Sequence, residues 1–209
     1  EQPQVRLIHF PEAKDGVSML DAKTGQPLYQ DGQSVSDKPQ PYVFNDIEGH
    51  FAQKEISLLG QAGIFGEYGN SFHPDENITL RSLLKAMLAS KEGIYNIARI
   101  EDQELINRCQ RLGWIKENAD LNSQVDRDNL SLLMLRCLEI EYLTRIEGIY
   151  QVSYQDTAQL SPTSKAAAAL TWGLGIIKAD GKNYDPAHIV TRGEAAAALV
   201  HTLAVNTRP

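Results

Sequence analysis

The chain has 209 residues, of which 42% are hydrophobic and 22% charged, values of an ordinary globular protein that exclude disorder and a collagen-like helix. Twenty Lys and Arg against 27 Asp and Glu give a net charge of −7. That is the wrong sign for coating nucleic acid or an anionic membrane, although a local basic site stays open. Two cysteines, Cys109 and Cys137, cannot build a disulfide framework, and no CxxC or Cys/His cluster suggests zinc. They read as small apolar residues. No cofactor is expected.

The N-terminal Glu1-Gln-Pro-Gln has neither a charged n-region nor an apolar h-region, so any export signal is expected to have been removed or to lie upstream. The longest nearly apolar stretch, Ala166 to Ile177, is too short to span a bilayer, which takes about 18 apolar residues or more. Val5-Arg-Leu-Ile-His-Phe10 and Val17-Ser-Met-Leu20 are β-prone runs, and Asp21 and Gly25 suit a hairpin loop between Leu20 and Leu28. Two or three strands bury too little to stand alone, so residues 1–40 read as a short β segment and linker, the tail of a covalently linked upstream domain. From Asp31 to Pro41 the stretch is polar and proline-bearing, as linkers are.

Beyond it the pattern turns helical and repeats. Ala52 to Ala62 is a predicted helix stopped by Gly63; a loop runs to Asn77; a second helix opens at Ile78-Thr79-Leu80-Arg81, with Thr79 as its cap. The order returns with a helix through Ala166 to Trp172, a loop over Ile176 to Pro186, and Ile189-Val-Thr-Arg-Gly-Glu194 before the last helix. A weaker copy lies between, with helices over Glu104 to Gly113 and Leu130 to Ile140. The helix-ending glycines are Gly63, Gly113 and Gly175 and the helix-opening arginines Arg81, Arg127 and Arg192, a period of 46 to 65 residues. Three helix-loop-helix units over 42–92, 93–147 and 148–205 are predicted, their apolar faces completed by their neighbours.

The motifs resemble the S-layer homology repeat. The first unit shows Phe44-Asn-Asp46, Gly49-His-Phe-Ala52, Gly63-Ile64, Phe72-His-Pro-Asp75 and Ile78-Thr79; the third shows Tyr154-Gln-Asp156, Gly175-Ile-Ile177, Tyr184-Asp-Pro186 and Val190-Thr-Arg-Gly-Glu194. The resemblance, over roughly 42–205, implies a mainly α pseudo-threefold bundle of three repeats, the middle one degenerate, preceded here by a short β-hairpin segment. It implies a bacterial cell-surface or cell-wall location. It also implies non-covalent anchoring of an exported protein by binding a secondary cell-wall polysaccharide, with no enzymatic activity and no nucleic-acid partner. By position, the implied glycan-binding residues are Arg192, Arg127, Arg81, Asp46, Asp156 and Phe51, with Gly69 and Gly181 as loop glycines that admit a ligand. The first repeat departs from the pattern: Arg81 stands one position late, which turns its side chain by ~100° on a helix, and Ser82 replaces the motif glutamate.

Physical chemistry supplies roles for these residues. Thr191 and Glu194 have capping-box spacing. Arg192 would then sit in a first helical turn, where a cation is disfavoured unless an anion lies beside it. A ketal-linked pyruvate carboxylate suits a guanidinium fork and first-turn amides. Bland readings stand beside these: Asp46 and Asp156 as turn caps, Phe51 as a core residue, Arg127 as an ion pair with its acidic neighbours, Phe72 and Tyr184 as plugs that seat the loops. A structural or protein-interaction module is the alternative function. No HExxH, GxSxG, EF-hand or P-loop pattern is present in the chain.

Overall fold

The computed structural model describes residues 7–9, 17–21, 27–30, 33–34, 42–94, 97, 99–146, 148–152, 154–177 and 182–206. The chain divides into two compact units, Glu1–Gln40 and Pro41–Pro209. In the first, β1 (Leu7–His9), β2 (Val17–Asp21), β3 (Pro27–Gln30) and β4 (Gln33–Ser34) form a four-stranded antiparallel sheet in chain order. The stretch read as linker thus begins with a strand, because Gln33 and Ser34 fold back on Gln30 and Tyr29. Gly25 lies outside the described residues.

The second unit is mainly α, as the repeat pattern predicts. Its helices are α1 (Gln53–Gln61), α2 (Leu80–Glu92), α3 (Asp102–Arg111), α4 (Arg127–Cys137), α5 (Pro162–Gly173) and α6 (Arg192–Asn206). Gly63, Gly113 and Gly175 follow the first helix of each repeat at φ of 77°, 71° and 72°, the left-handed conformation that ends a helix at little cost to glycine. Second helices start after extended capping residues: Thr79 accepts from the Ser82 amide at 3.3 Å and Asp126 from the Asn129 amide at 2.7 Å. Helix α4 therefore begins at Arg127, three residues before the position its apolar periodicity suggests, because a strong cap overrides a weak amphipathic signal. Helix α5 likewise starts at Pro162, with Ser161 as cap.

Packing is cyclic. The first helix of each repeat lies on the second helix of the preceding one, α3 on α2, α5 on α4 and α1 on α6. The ring closes at its centre through main chain alone. The Ile78 amide donates to the Val190 carbonyl at 3.0 Å, the Val190 amide to Val125 at 2.8 Å, and the Val125 amide to Ile78 at 3.2 Å. All three side chains are buried, in a core that also holds Ile56, Leu83, Leu84, Met87, Leu105, Leu130, Met134 and Leu199. Full burial of such a side chain contributes about 1.5–3 kcal/mol.

Two further bonds per repeat reinforce the ring. The first amides of α6, on Arg192 and Gly193, donate to Glu76 and Pro74; those of α4, on Arg127 and Asp128, to His188 and Pro186; those of α2, on Leu80 and Arg81, to Ser123 and Leu121. Each second helix thus spends its free N-terminal amides on the loop of the next repeat. Ile78→Ala should cost about 2–5 kcal/mol. Because the residue joins all three repeats, urea unfolding should stay a single transition with a lower midpoint; separate transitions for the repeats would contradict the cyclic coupling.

Candidate functional site

A groove of about 230 Å³ opens where the three repeats meet. Repeat one supplies Phe51 and Glu55, repeat two Arg127 and Leu130, and repeat three Ile176, Ile177, Val190, Glu194, Ala197, Ala198 and His201. Glu194, Ala197, Ala198 and His201 follow i, i+3, i+4, i+7 spacing and so share one face of α6. Small alanines on that face leave room between helices. Phe51 is 70% exposed, far from the core position its residue type favours, and its ring stacks obliquely on His50 at 4.5 Å.

Arg127 and Glu194 form the polar wall. Glu194 closes the capping box of α6: its own amide donates to the Thr191 hydroxyl at 3.2 Å, and its carboxylate accepts from the Thr191 amide at 2.8 Å. Its Oε2 also lies 3.0 Å from His188 Nε2, and its Oε1 3.5 Å from Arg127 Nη2. Burial is the strongest influence on Glu194 and opposes ionisation, yet the Thr191 amide, His188 and Arg127 together outweigh it and hold the carboxyl below its ordinary value. Arg127 also donates through Nη1 to the Tyr184 carbonyl, its one side-chain hydrogen bond among the described residues. Across the groove His201 Nε2 lies 3.4 Å from Glu55 Oε1.

Arg192 sits elsewhere. Only 3% exposed, it reaches from repeat three into repeat one, where Nε donates to the Phe72 carbonyl at 2.7 Å, Nη1 to the Ser82 hydroxyl at 3.0 Å and Nη2 to the Glu67 carboxylate at 3.0 Å. Its guanidinium carbon stands 4.9 to 5.3 Å from the ring centres of Tyr68, Phe72 and Phe65. A desolvated cation–π contact contributes about 2 kcal/mol or more. The residue after it, Gly193, has no room for a side chain, since a Cβ there would run into the His50 ring. Arg81 turns to repeat two, pairing with Asp102 and donating to Asn122 at 3.0 Å, while Leu80 holds the helix position that the arginine takes in the other repeats.

Asp46 and Asp156 do the same work in their two repeats. Asp46 accepts from the Phe72 and His73 amides at 2.8 Å, and Asp156 from the Tyr184 and Asp185 amides at 2.9 and 2.8 Å. His73 and Asp185 both have positive φ, so each aspartate clamps a loop in a strained conformation. Desolvation raises both carboxyls but the backbone donors prevail, and both end below the ordinary aspartate value. Phe72 and Tyr184 are buried plugs beneath these loops. Gly69, at φ 67°, has open space around it and lies outside the groove. Gly181 lies outside the described residues.

The structure therefore joins Phe51, Arg127 and Glu194 at one groove, and places Arg192, Arg81 and the two aspartates at other positions. Glu55, in the first turn of α1, and His201 also line the groove, and no local sequence signal marks either of them.

Acid should loosen the fold in a defined direction. The ordinary values are 3.8 for Asp46 and Asp156 and 4.5 for Glu194, and all three are lowered on folding. Their contribution is complete above the unfolded values and is lost as pH falls through the folded ones. Asp128 opposes them, its carboxyl raised chiefly by burial, so its share has the other sign. Urea midpoints should fall between about pH 5 and about pH 3, and Asp46→Asn with Asp156→Asn should flatten that fall.

The family model for the S-layer homology domain matches residues 43–80. Exoglucanase XynX of Acetivibrio thermocellus is 26% identical over 171 residues, which cover 75% of this chain and 16% of that protein. An amylopullulanase of Thermoanaerobacterium thermosulfurigenes is 23% identical, covering 75% of this chain and 9% of it. An undecaheme cytochrome from the S-layer of Carboxydothermus ferrireducens aligns at TM-score 0.40 and 15% identity, over 71% of this chain and 21% of that one. Residues 43–80, in the first of the three cyclically packed units, thus carry an S-layer homology domain.

Proposed function

We propose that the groove between α1, α4 and α6 binds an anionic secondary cell-wall polysaccharide, with Arg127 reading a carboxylate such as ketal-linked pyruvate and Phe51 stacking on a sugar ring. Cell-wall anchoring at the bacterial surface is what an S-layer homology domain serves, and it sets the coarse function of this chain. The finer reading rests on one observation: Arg127 and the exposed ring of Phe51 line the same groove. Arg127 has donors to offer, since its carboxylate neighbour is at 3.5 Å and its hydrogen bond goes to a single carbonyl. Glu55, Glu194 and His201 supply hydrogen-bonding partners for sugar hydroxyls along the groove.

The chain spans 16% and 9% of the two curated relatives it matches. Their names describe those proteins, and tethering a larger exported protein through this region is the role we propose here. The module acts by binding without bond chemistry in this reading. Release of muropeptides or reducing sugar from purified walls would overturn that part.

The test is co-sedimentation with purified sacculi before and after removal of the secondary polysaccharide. Native sacculi should retain the chain and stripped peptidoglycan should not; equal retention by both would sink the proposal. Arg127→Ala and Phe51→Ala should each weaken retention roughly tenfold or more, the effect of losing a charge-assisted bond or a buried stacking face.

A further inference from the structure

The two motif arginines that head helices α4 and α6 occupy equivalent places but meet different surroundings. Both donate to the carbonyl of the plug aromatic in the following repeat, Arg127 to Tyr184 and Arg192 to Phe72. Around Arg127 the remaining wall is a groove. Around Arg192 it is closed by Glu67, Ser82 and three aromatic rings, and the side chain is buried. The difference is written in the loops. Aligning Gly63 with Gly175 and Phe72 with Tyr184 sets Glu67 opposite Ala179, and Phe65 and Tyr68 opposite Ile177 and Asp180. At the positions of Phe65 and Glu67 repeat three thus carries no aromatic ring and no carboxylate in sequence, and the carboxylate that Arg127 meets is Glu194, at 3.5 Å.

Glu67 also answers a defect. Where the third repeat has Glu194 at the third position of its helix, the first has Ser82. Glu67 takes over: its Oε1 accepts from the Ser82 hydroxyl at 2.6 Å while Oε2 accepts from Arg192 at 3.0 Å. A carboxylate built into the chain thus occupies the guanidinium edge that a ligand carboxylate would need.

We infer that the interface between repeats three and one is a permanently occupied clasp, with Glu67 standing in for the ligand's carboxylate, so that the chain has one working anion-reading groove, at Arg127. The inference rests on the glycan-binding reading of that groove. It follows that the third interface contributes nothing either, because Leu80 stands where its arginine would be. Arg192 and Glu67, 125 positions apart, instead tie the last repeat to the first.

The experiment has two arms on the full chain. In the first, without glycan, Glu67→Gln should lower the melting temperature by roughly 5 °C or more, since it strips a buried cation of its partner. The double variant Arg192→Met with Glu67→Leu should recover most of that loss, because apolar residues of similar volume replace a buried ion pair at little cost. In the second arm, calorimetric titration with purified secondary wall polysaccharide fragments should give one site per chain. The double variant should bind within about twofold of the original, and Arg127→Ala should abolish the heat. Two sites per chain, or a folded double variant that loses binding, would overturn the clasp. Unbound wild-type chain would instead overturn the glycan reading, while the melting arm would still decide whether the clasp exists.

Discussion

Three main-chain hydrogen bonds among Ile78, Val125 and Val190 are the constraint on which the bundle depends. Each of these residues stands just before a helix cap, and its amide donates to the carbonyl of the equivalent residue in another repeat. Closing the ring fixes where α2, α4 and α6 begin and aims their first amides into the loops of their neighbours. Ionic groups then fall into place around it. A buried donor left without partner costs about 1–3 kcal/mol, so no repeat can be turned or withdrawn without exposing a penalty at the centre.

That geometry changes how the helix-start arginines are understood. A cation in a first helical turn is unfavourable beside free amides and a positive helix end. Here the amides are already bonded to the next repeat, and each arginine has a carboxylate within the chain: Glu67 for Arg192, Glu194 for Arg127, Asp102 for Arg81. The local anion therefore comes from the protein first. The two arginines differ in how completely their surroundings saturate the guanidinium: Arg192 is buried with three hydrogen-bond partners, whereas Arg127 meets one carbonyl and a carboxylate at 3.5 Å beside a groove.

The acidic total of −7 takes on meaning in this light. Much of it is committed: Asp46 and Asp156 clamp loops, Asp126 caps α4, and Glu194 closes a capping box. A chain of this charge is unsuited to coating a polyanion, yet a single guanidinium in it can still hold a discrete carboxylate, as Arg192 holds Glu67, because over a few ångströms the local partner outweighs the distant field.

Much of the fold was legible in residues 42 to 205. Glycines at 63, 113 and 175 end helices because their backbone conformation needs no contact partner to be read, and Thr191 with Glu194 declares a capping box by spacing alone. Local rules identify such features because both partners lie within a turn of each other. Helix α4 starts ahead of its apolar pattern because Asp126 caps more strongly than that pattern signals. Phe51 and Asp46 were open questions in sequence, core or platform, clamp or ligand contact, since burial and 26-residue hydrogen bonds are not local properties. By itself the sequence determined the helices, their stops and caps, and the threefold recurrence. Only tertiary structure decided which arginine faces a groove and which is locked against Glu67, because that choice is made by side chains up to 125 positions away and by how tightly three repeats close around one ring.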